Sequence, residues 1–427
     1  MTETTLTDIF KTLFEAKAEQ KSIGLNQFQS EAFSAFQELG LPDRKSEAYK
    51  FTQVDRILGK AFDSITWAPV KSSWTLELCQ NEFYHEEDAN HLVFLNGQFK
   101  VSYSKITSNS IDLEIALIDE SNIGVLGKVS NQSKDPFAQL NAASFGDGLY
   151  LKSISKTVNK PVFIYHFYDN ESSQGVAMPR ILIEAETRSF LDVYEKTFTT
   201  GENSFLINSI LEAKVETNAE VRFTKVQNYD KSIHAIEGIY ASVERDSRFY
   251  TNTYSFNGGL IRNNVVIDID GENCEGHMNG LYLLGGKSHV DNNTTVDHKQ
   301  PNSYSNELYK GVLAENSRGV FNGKIYVRPD AQKTNAFQTN NNILLSDTAI
   351  INTKPQLEIW ADDVKCSHGC TTGQLDEEAI FYLRSRGISK QRAKALMLYA
   401  YSTATLAEVK SEEVKTEIEN IILNKLG

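Results

Sequence analysis

Apolar positions along the chain change their spacing twice. Near the N-terminus they recur at helical intervals: Leu6, Ile9, Phe10, Leu13 and Phe14 share one face, and Phe28, Ala32, Phe33, Phe36 and Leu39 share another. Gly40-Leu41-Pro42 stops that second helix. Residues from about 64 to 131 are mixed, with a strand at His91–Leu95 leading into the turn pair Asn96-Gly97. From about 160 to 362 short β-rich runs take over: Val162–Tyr165, Ile181–Ile183, Phe190–Tyr194, Val221–Phe223, Val265–Ile269, Leu281–Leu284 and Lys324–Val327. Gly, Asn, Asp and Ser punctuate them, and no helical period crosses the region. After Gly373 helices return. Asp376-Glu377-Glu378 favours a helix start and Gly387 a helix end. Ser389 caps a second helix carrying Ala393, Leu396, Met397 and Ala400, and a last one carries Val414, Ile418, Ile421 and Ile422.

These shifts divide the chain into a helical N-terminal region (1–60), a mixed segment leading into the core (61–159), a β core (160–362) and a C-terminal helical domain (363–427). Many short strands over such a core allow a sandwich, a propeller or a parallel β-helix. Two features favour the β-helix. Asparagines crowd the turns (Asn257, Asn263, Asn264, Asn273, Asn279, Asn292, Asn293, Asn340 to Asn342), and hairpin pairs such as Asn-Gly are few. Stacked coils align such side chains into hydrogen-bonded ladders.

A chain of 427 residues with 40% hydrophobic content can bury a large core. Its net charge of −13 argues against a nucleic-acid or acidic-membrane binder. The polar, acidic N-terminus does not read as a signal peptide, no run is apolar enough for a membrane span, and four scattered cysteines suit a reducing compartment. A cytoplasmic protein is expected.

Candidate chemistry concentrates at Cys366, His368 and Cys370, at the junction between the β and helical textures. Thiolate and imidazole ligate zinc, iron and iron–sulfur clusters, and irregular backbone would leave them open to a partner. Their spacing is unusual for a closed metal site, so two readings stand: a site completed by another chain, or a packed thiol beside a turn histidine. Cys274 and His277 could pair as ligands or could be turn residues. Cys79, in the amphipathic run Trp74–Cys79, reads as packed. The run from Gly280 to Gly286-Lys287-Ser288 approaches a phosphate-binding loop, but Leu281 stands where that loop needs glycine, and a strand and turn fit better. Asp297 beside His298 could orient a general base for a β-helix hydrolase or lyase, or form part of a polar ladder.

Several segments carry a resemblance. Thr295–His298, Glu307–Val312, Gly319–Ile325, Asp330–Asn335, Leu344–Asp347, Thr353–Ile359, Ala361–His368 and Gln374–Gly387 together resemble the SufB/SufD family, almost without interruption from Thr295 to Tyr401. Upstream, Arg44–Thr52 resembles the family's Glu-x-Trp-Lys-Tyr-Thr element with Tyr49 in place of Trp, and Asn141–Phe145 with Asp147-Gly148 resembles another family segment. Gly369, where SufB-like chains carry Glu, and Gly373–Asp376 resemble the SufD branch; Cys370 departs from the small residue usual there.

The resemblance implies a right-handed parallel β-helix between helical regions. It implies a non-catalytic scaffold subunit for iron–sulfur assembly, paired with a SufB-like subunit in a heterodimer and docking a SufC-like ABC ATPase that hydrolyses the nucleotide. The isolated chain could also pair with itself. His368 and Cys366 would contribute to a transient cluster at the interface, with Cys370 as a further thiol. Gln374, Leu375, Asp376, Glu377, Phe381, Tyr382, Arg384 and Arg386 would contact the ATPase. No cofactor would stay on the isolated chain; the assembled complex would carry a transient iron–sulfur cluster and could carry a flavin. A main cluster and sulfur carrier of the SufB type is the nearest alternative.

Overall fold

From Arg180 onward the chain winds between two sheets, and each circuit adds one long strand to each. In the computed structural model, residues 6–426 are described except 18–22, 44, 69–71, 130–133, 155–159 and 172. Arg44, at the head of the family-like N-terminal element, lies outside the described residues. One sheet runs through Arg180–Ala185, Phe205–Val215, Ile233–Val243, Leu260–Ile269, His289–His298 and Arg318–Val327 to Ile350–Ile359. The other runs through Phe190–Thr200, Glu220–Asn228, Arg248–Asn257, Glu275–Leu284, Tyr304–Leu313 and Asn335–Leu344 to Lys365–Gly373. Neighbours within each sheet are parallel, so the core is a parallel β-solenoid.

Register is in step around the coil: Arg248 faces Glu275, His289 faces Arg318, and Arg318 faces Ile350. Alternate side chains therefore point into a shared interior, and a slip of one residue would turn every buried apolar group outward. The interior is lined by stacked aliphatic and aromatic residues such as Val265, Ile267, Val296 and Ile325. Asparagine ladders do form, but on the strands and not in the turns where the sequence suggested them; of the asparagines named above only Asn273 sits in a turn. Asn263 donates to Asn292 at 2.9 Å, and Asn279 to Asn252 at 3.0 Å.

One corner of the coil repeats a device that the eye misses in the sequence. Arg188, Asn218, Asp246, Asn273, Asn302 and Lys333 all adopt positive φ, between 59° and 68°. Each is followed by a small buried residue: Ser189, Ala219, Ser247, Cys274, Ser303 and Thr334. The left-handed residue turns the chain, and only a small side chain fits inside the bend. Asn and Asp recur there because their short side chains tolerate that conformation.

The two ends of the solenoid differ. At the N-terminal end, Leu113–Leu117 pairs antiparallel with Leu149–Ser153, and Asn90–Leu95 with Gln98–Phe99. At the other end Ile350–Ile359 and Lys365–Gly373 each close their sheet with one edge unpaired among the described residues. The outer face of the first sheet is covered by the helices Leu6–Lys17, Ile23–Leu39, Val54–Ala61 and Pro136–Ser144. The outer face of the second is covered by the chain's last two helices, Lys390–Thr403 and Glu412–Leu426.

Buried charges pin the N-terminal layer. Arg180 forms an ion pair with Glu212, neither of them exposed, and donates to Asn141 Oδ1 at 2.9 Å; Asn141 in turn donates to the carbonyls of Pro179 and Asn208. Arg262 pairs with Asp291, donates to the Ala48 carbonyl at 2.9 Å and lies 3.7 Å from the Tyr49 ring centre. Both family-like N-terminal segments thus act as anchors onto the first sheet.

The backbone corrects one expectation. Cys366, His368 and Cys370 do not sit on irregular backbone; strand pairing carries the coil past residue 362 to Gly373, and the next helix starts at Glu377. Every residue from Lys365 to Gly373 has a partner in Asn335–Ile343, and that pairing overrides a run weak in β-formers.

Replacing Arg180 with Ala leaves Glu212 as an uncompensated buried charge. Urea unfolding should show a loss of about 3–5 kcal/mol, whereas the double change Arg180→Met with Glu212→Leu should cost clearly less.

Candidate functional site

Alternation on the terminal strand places Cys366, His368, Cys370 and Thr372 on its interior-facing side, directly above buried Ala336, Gln338, Asn340 and Asn342. Because no further coil follows, this face lies open. His368 and Cys370 are exposed, while Cys366 is half-buried against the core cluster. Cys370 Sγ lies 3.2 Å from Thr353 Oγ1 on the opposite terminal strand.

The three side chains do not converge. Same-face positions on a strand stand about 7 Å apart, so Cys366 and Cys370 are separated by roughly 13 Å. Among the described residues no group of three or more His, Cys, Asp or Glu could hold a metal ion. The strand offers ligands one at a time, along an edge.

The column beneath His368 is polar, and its residues escaped the reading of the sequence. His368 stacks in register on Gln338, and Gln338 on Glu307. Glu307 is fully buried and accepts from Thr294 Oγ1 at 2.6 Å, but its Oε1 has no hydrogen-bond partner. Burial pushes its acid up to about 7, against the hydrogen bond from Thr294 that favours the carboxylate. Gly323 makes room for this column: a Cβ there would collide with the Gln338 amide. Beside it, Tyr282, Asn340 and Asn342 form a closed hydrogen-bonded cluster. The available signal was the spacing of polar residues by one coil, from 307 to 338 to 368.

The other candidates come apart. Cys274 is the small corner residue, buried, with Sγ 2.9 Å from the Glu244 carbonyl and a thiol pushed up to about 11 by burial. His277 lies outside the coil, stacked 4.4 Å from Tyr250 and paired with Glu275, so the two form no ligand pair. Asp297 and His298 point to opposite sides of their strand. Asp297 receives a two-pronged bond from Arg328 at 2.7 Å, while His298 is buried, 2.8 Å from Ser305 Oγ, with burial lowering it to about 4. That is no acid–base dyad. Gly280 to Leu284 is strand, and Gly285 to Ser288 is the corner that follows it. Cys79 is buried in a short helix, its thiol pushed up to about 12.

A second exposed feature adjoins the open end. On the helix Glu377–Ser385, capped by Asp376, Phe381 and Tyr382 are 71% and 58% exposed, and Arg386 donates to the Tyr382 hydroxyl at 3.1 Å. Gln374, Glu377 and Arg384 are also exposed, and Leu375 is half-buried.

Comparison with known proteins agrees with this architecture. A family model described as the SUF system FeS cluster assembly SufBD core domain matches residues 167–401, and one for the SufBD protein N-terminal region matches residues 1–164. The chain belongs to the SufBD family. Iron-sulfur cluster assembly protein SufD of Escherichia coli is 28% identical over 420 residues, covering 95% of this chain and 93% of the relative. An iron–sulfur cluster assembly SufBD family protein of Synechocystis is 28% identical over 390 residues, covering 87% of this chain and 84% of its own length. Protein ABCI7, chloroplastic, of Arabidopsis thaliana is 25% identical over 397 residues, covering 89% and 81%. This SufBD chain has a role in iron–sulfur cluster assembly. Among its described residues no helix is long and apolar enough to cross a membrane.

Two outcomes follow from the site. Under native conditions iodoacetamide, followed by mass spectrometry, should label Cys370 first and Cys366 more slowly, with Cys79 and Cys274 labelled only after unfolding. Glu307 has a folded acid constant near 7, raised above its unfolded value. Its favourable contribution is therefore complete below pH ~4.3 and lost as pH rises through about 7. Relative to wild type, Glu307→Gln should gain stability between pH 5 and 8, on the order of 3 kcal/mol by urea unfolding.

Proposed function

We propose that this chain is a non-catalytic scaffold subunit whose open solenoid end joins the matching end of a SufB-like subunit, and that an iron–sulfur cluster is assembled, as cargo, at the junction. The observation that carries this reading is His368, exposed on the interior-facing side of a terminal strand with no coil above it. Two long strand edges, unpaired among the described residues and flanked by exposed Ile350, Ile359 and Trp360, are what strand addition by another chain requires. Ligands too far apart to close a site alone become useful when the partner supplies the rest. His368 is the principal donor from this side, Cys366 lies beside it, and Cys370 is a further accessible thiol.

The helix carrying Phe381 and Tyr382 is the docking surface for a SufC-like ABC ATPase. Its exposed aromatics and the basic groups Arg384 and Arg386 suit an apolar pocket with an acidic rim. It lies next in sequence to the terminal strand, so movement of the ATPase would be felt at the open end.

Co-purification with the SufB-like and SufC-like partners, then anaerobic reconstitution, tests both parts. His368→Ala should leave the complex intact and lower bound iron and sulfide several-fold. Phe381→Asp with Tyr382→Ala should release the ATPase, a loss of about tenfold or more in affinity, while the SufB-like partner stays bound. A His368→Ala complex that assembles iron and sulfide like wild type removes His368 from the site.

A further inference from the structure

A cavity of about 440 Å³ lies where the N-terminal layer meets the first sheet, and its charge is opposite to that of the protein. Four basic side chains line it: Lys50, Arg56, Lys60 and Arg318. No carboxylate does, although the chain holds 56 acidic residues against 43 basic ones. Among the described residues none of the four makes an ion pair, and none donates a side-chain hydrogen bond. The nearby Glu47 is committed to Lys354.

The backbone that carries the cluster is held in place. Arg56 and Lys60 stand one turn apart on Val54–Ala61, a helix fixed by fully buried Val54 and Leu58. Arg318 comes from the first sheet, in register between His289 and Ile350. His289 is fastened to Thr52 Oγ1 at 3.1 Å, and burial, with Arg318 and Arg262 nearby, lowers its acid constant to about 4, which leaves the ring neutral. All four side chains are exposed around the cavity, so an anion entering it would be met from several sides. Half-buried Phe51 adds an apolar wall, and the size falls in the range of small-molecule sites.

We infer that this cavity binds a phosphate-bearing small molecule, its phosphate groups held by Arg56, Lys60, Lys50 and Arg318. Arginine and lysine recognise phosphate through charge-assisted hydrogen bonds, which are strongest where no competing carboxylate is present. Ile350 and Asn352, from the terminal strand, complete the wall. A bound anion would therefore lie against the open edge of the first sheet and could tune how that edge receives a partner.

Calorimetric titration of the isolated full chain with pyrophosphate and with ADP, at low salt and without magnesium, tests the assignment independently of any partner. Both probes should bind. Arg56→Glu with Lys60→Glu, and separately Arg318→Glu, should each weaken binding about tenfold or more with an unchanged circular dichroism spectrum. Lys128→Glu, the same change of charge as Arg318→Glu but at an exposed site elsewhere, should leave affinity within about twofold. ADP binding more tightly than pyrophosphate, with the difference erased by Phe51→Ala, identifies a nucleotide; equal affinities identify an inorganic phosphate. Absence of binding by both probes overturns the assignment, as does equal weakening by Lys128→Glu. Much tighter binding of a single-stranded oligonucleotide would overturn it in favour of a nucleic-acid surface.

Discussion

The parallel, in-register ladder is the constraint on which everything else rests. Each coil hydrogen-bonds to the one before it, so a side chain at a given position lies directly over its equivalent one circuit earlier. Apolar columns then become a continuous core, and polar columns become ladders. The arrangement has a cost built in. A solenoid cannot satisfy its last strands internally, and the backbone groups of Ile350–Ile359 and Lys365–Gly373 face outward at the end. The chain closes its N-terminal end with antiparallel pairs and leaves this one open.

The outer faces of the sheets extend the same logic. Each is too apolar to face water, and each is covered by helices drawn from one end of the chain. Buried ion pairs within the first sheet, Arg180–Glu212 and Arg262–Asp291, hydrogen-bond Asn141 and the Ala48 carbonyl through their arginines and so orient the N-terminal layer on that sheet. That orientation sets Val54–Ala61 against the first sheet and creates the basic cavity beside the terminal strand. The C-terminal layer is joined by Tyr254 to the Thr405 carbonyl and by Lys310 to the Tyr401 carbonyl, leaving the helix Glu377–Ser385 projecting with its aromatics exposed.

His368 and Cys370 are exposed because they lie at the open end of the coil, where the repeating structure stops. Inside the coil a histidine such as His298 is buried and held neutral, and a cysteine such as Cys274 is sealed into a corner. The same residue types on the last strand are accessible. Their chemistry differs through their place in the stack, not their identity.

Much of this was legible in the order of residues. Helical spacing near both termini, the acidic helix start at Asp376–Glu378, Ser389 as a cap, Gly387 as a stop and the asparagine-rich β texture are local properties, and the structure carries each of them. The motif segments around His368 marked the family, and the core-domain family model covers them. What the order of residues left undetermined was everything that depends on register between coils. Whether Cys274 meets His277, whether Asp297 orients His298, whether Cys366 lies on strand or loop, and what lies under His368 all turn on which residue sits one circuit away. Glu307, Gln338 and His368 are distant in the chain and adjacent in space, as are Arg56 and Arg318. Side-chain period and turn chemistry act over a few residues and are written locally. The stacking of coils, and the charge it brings together, is decided only when the sheets close.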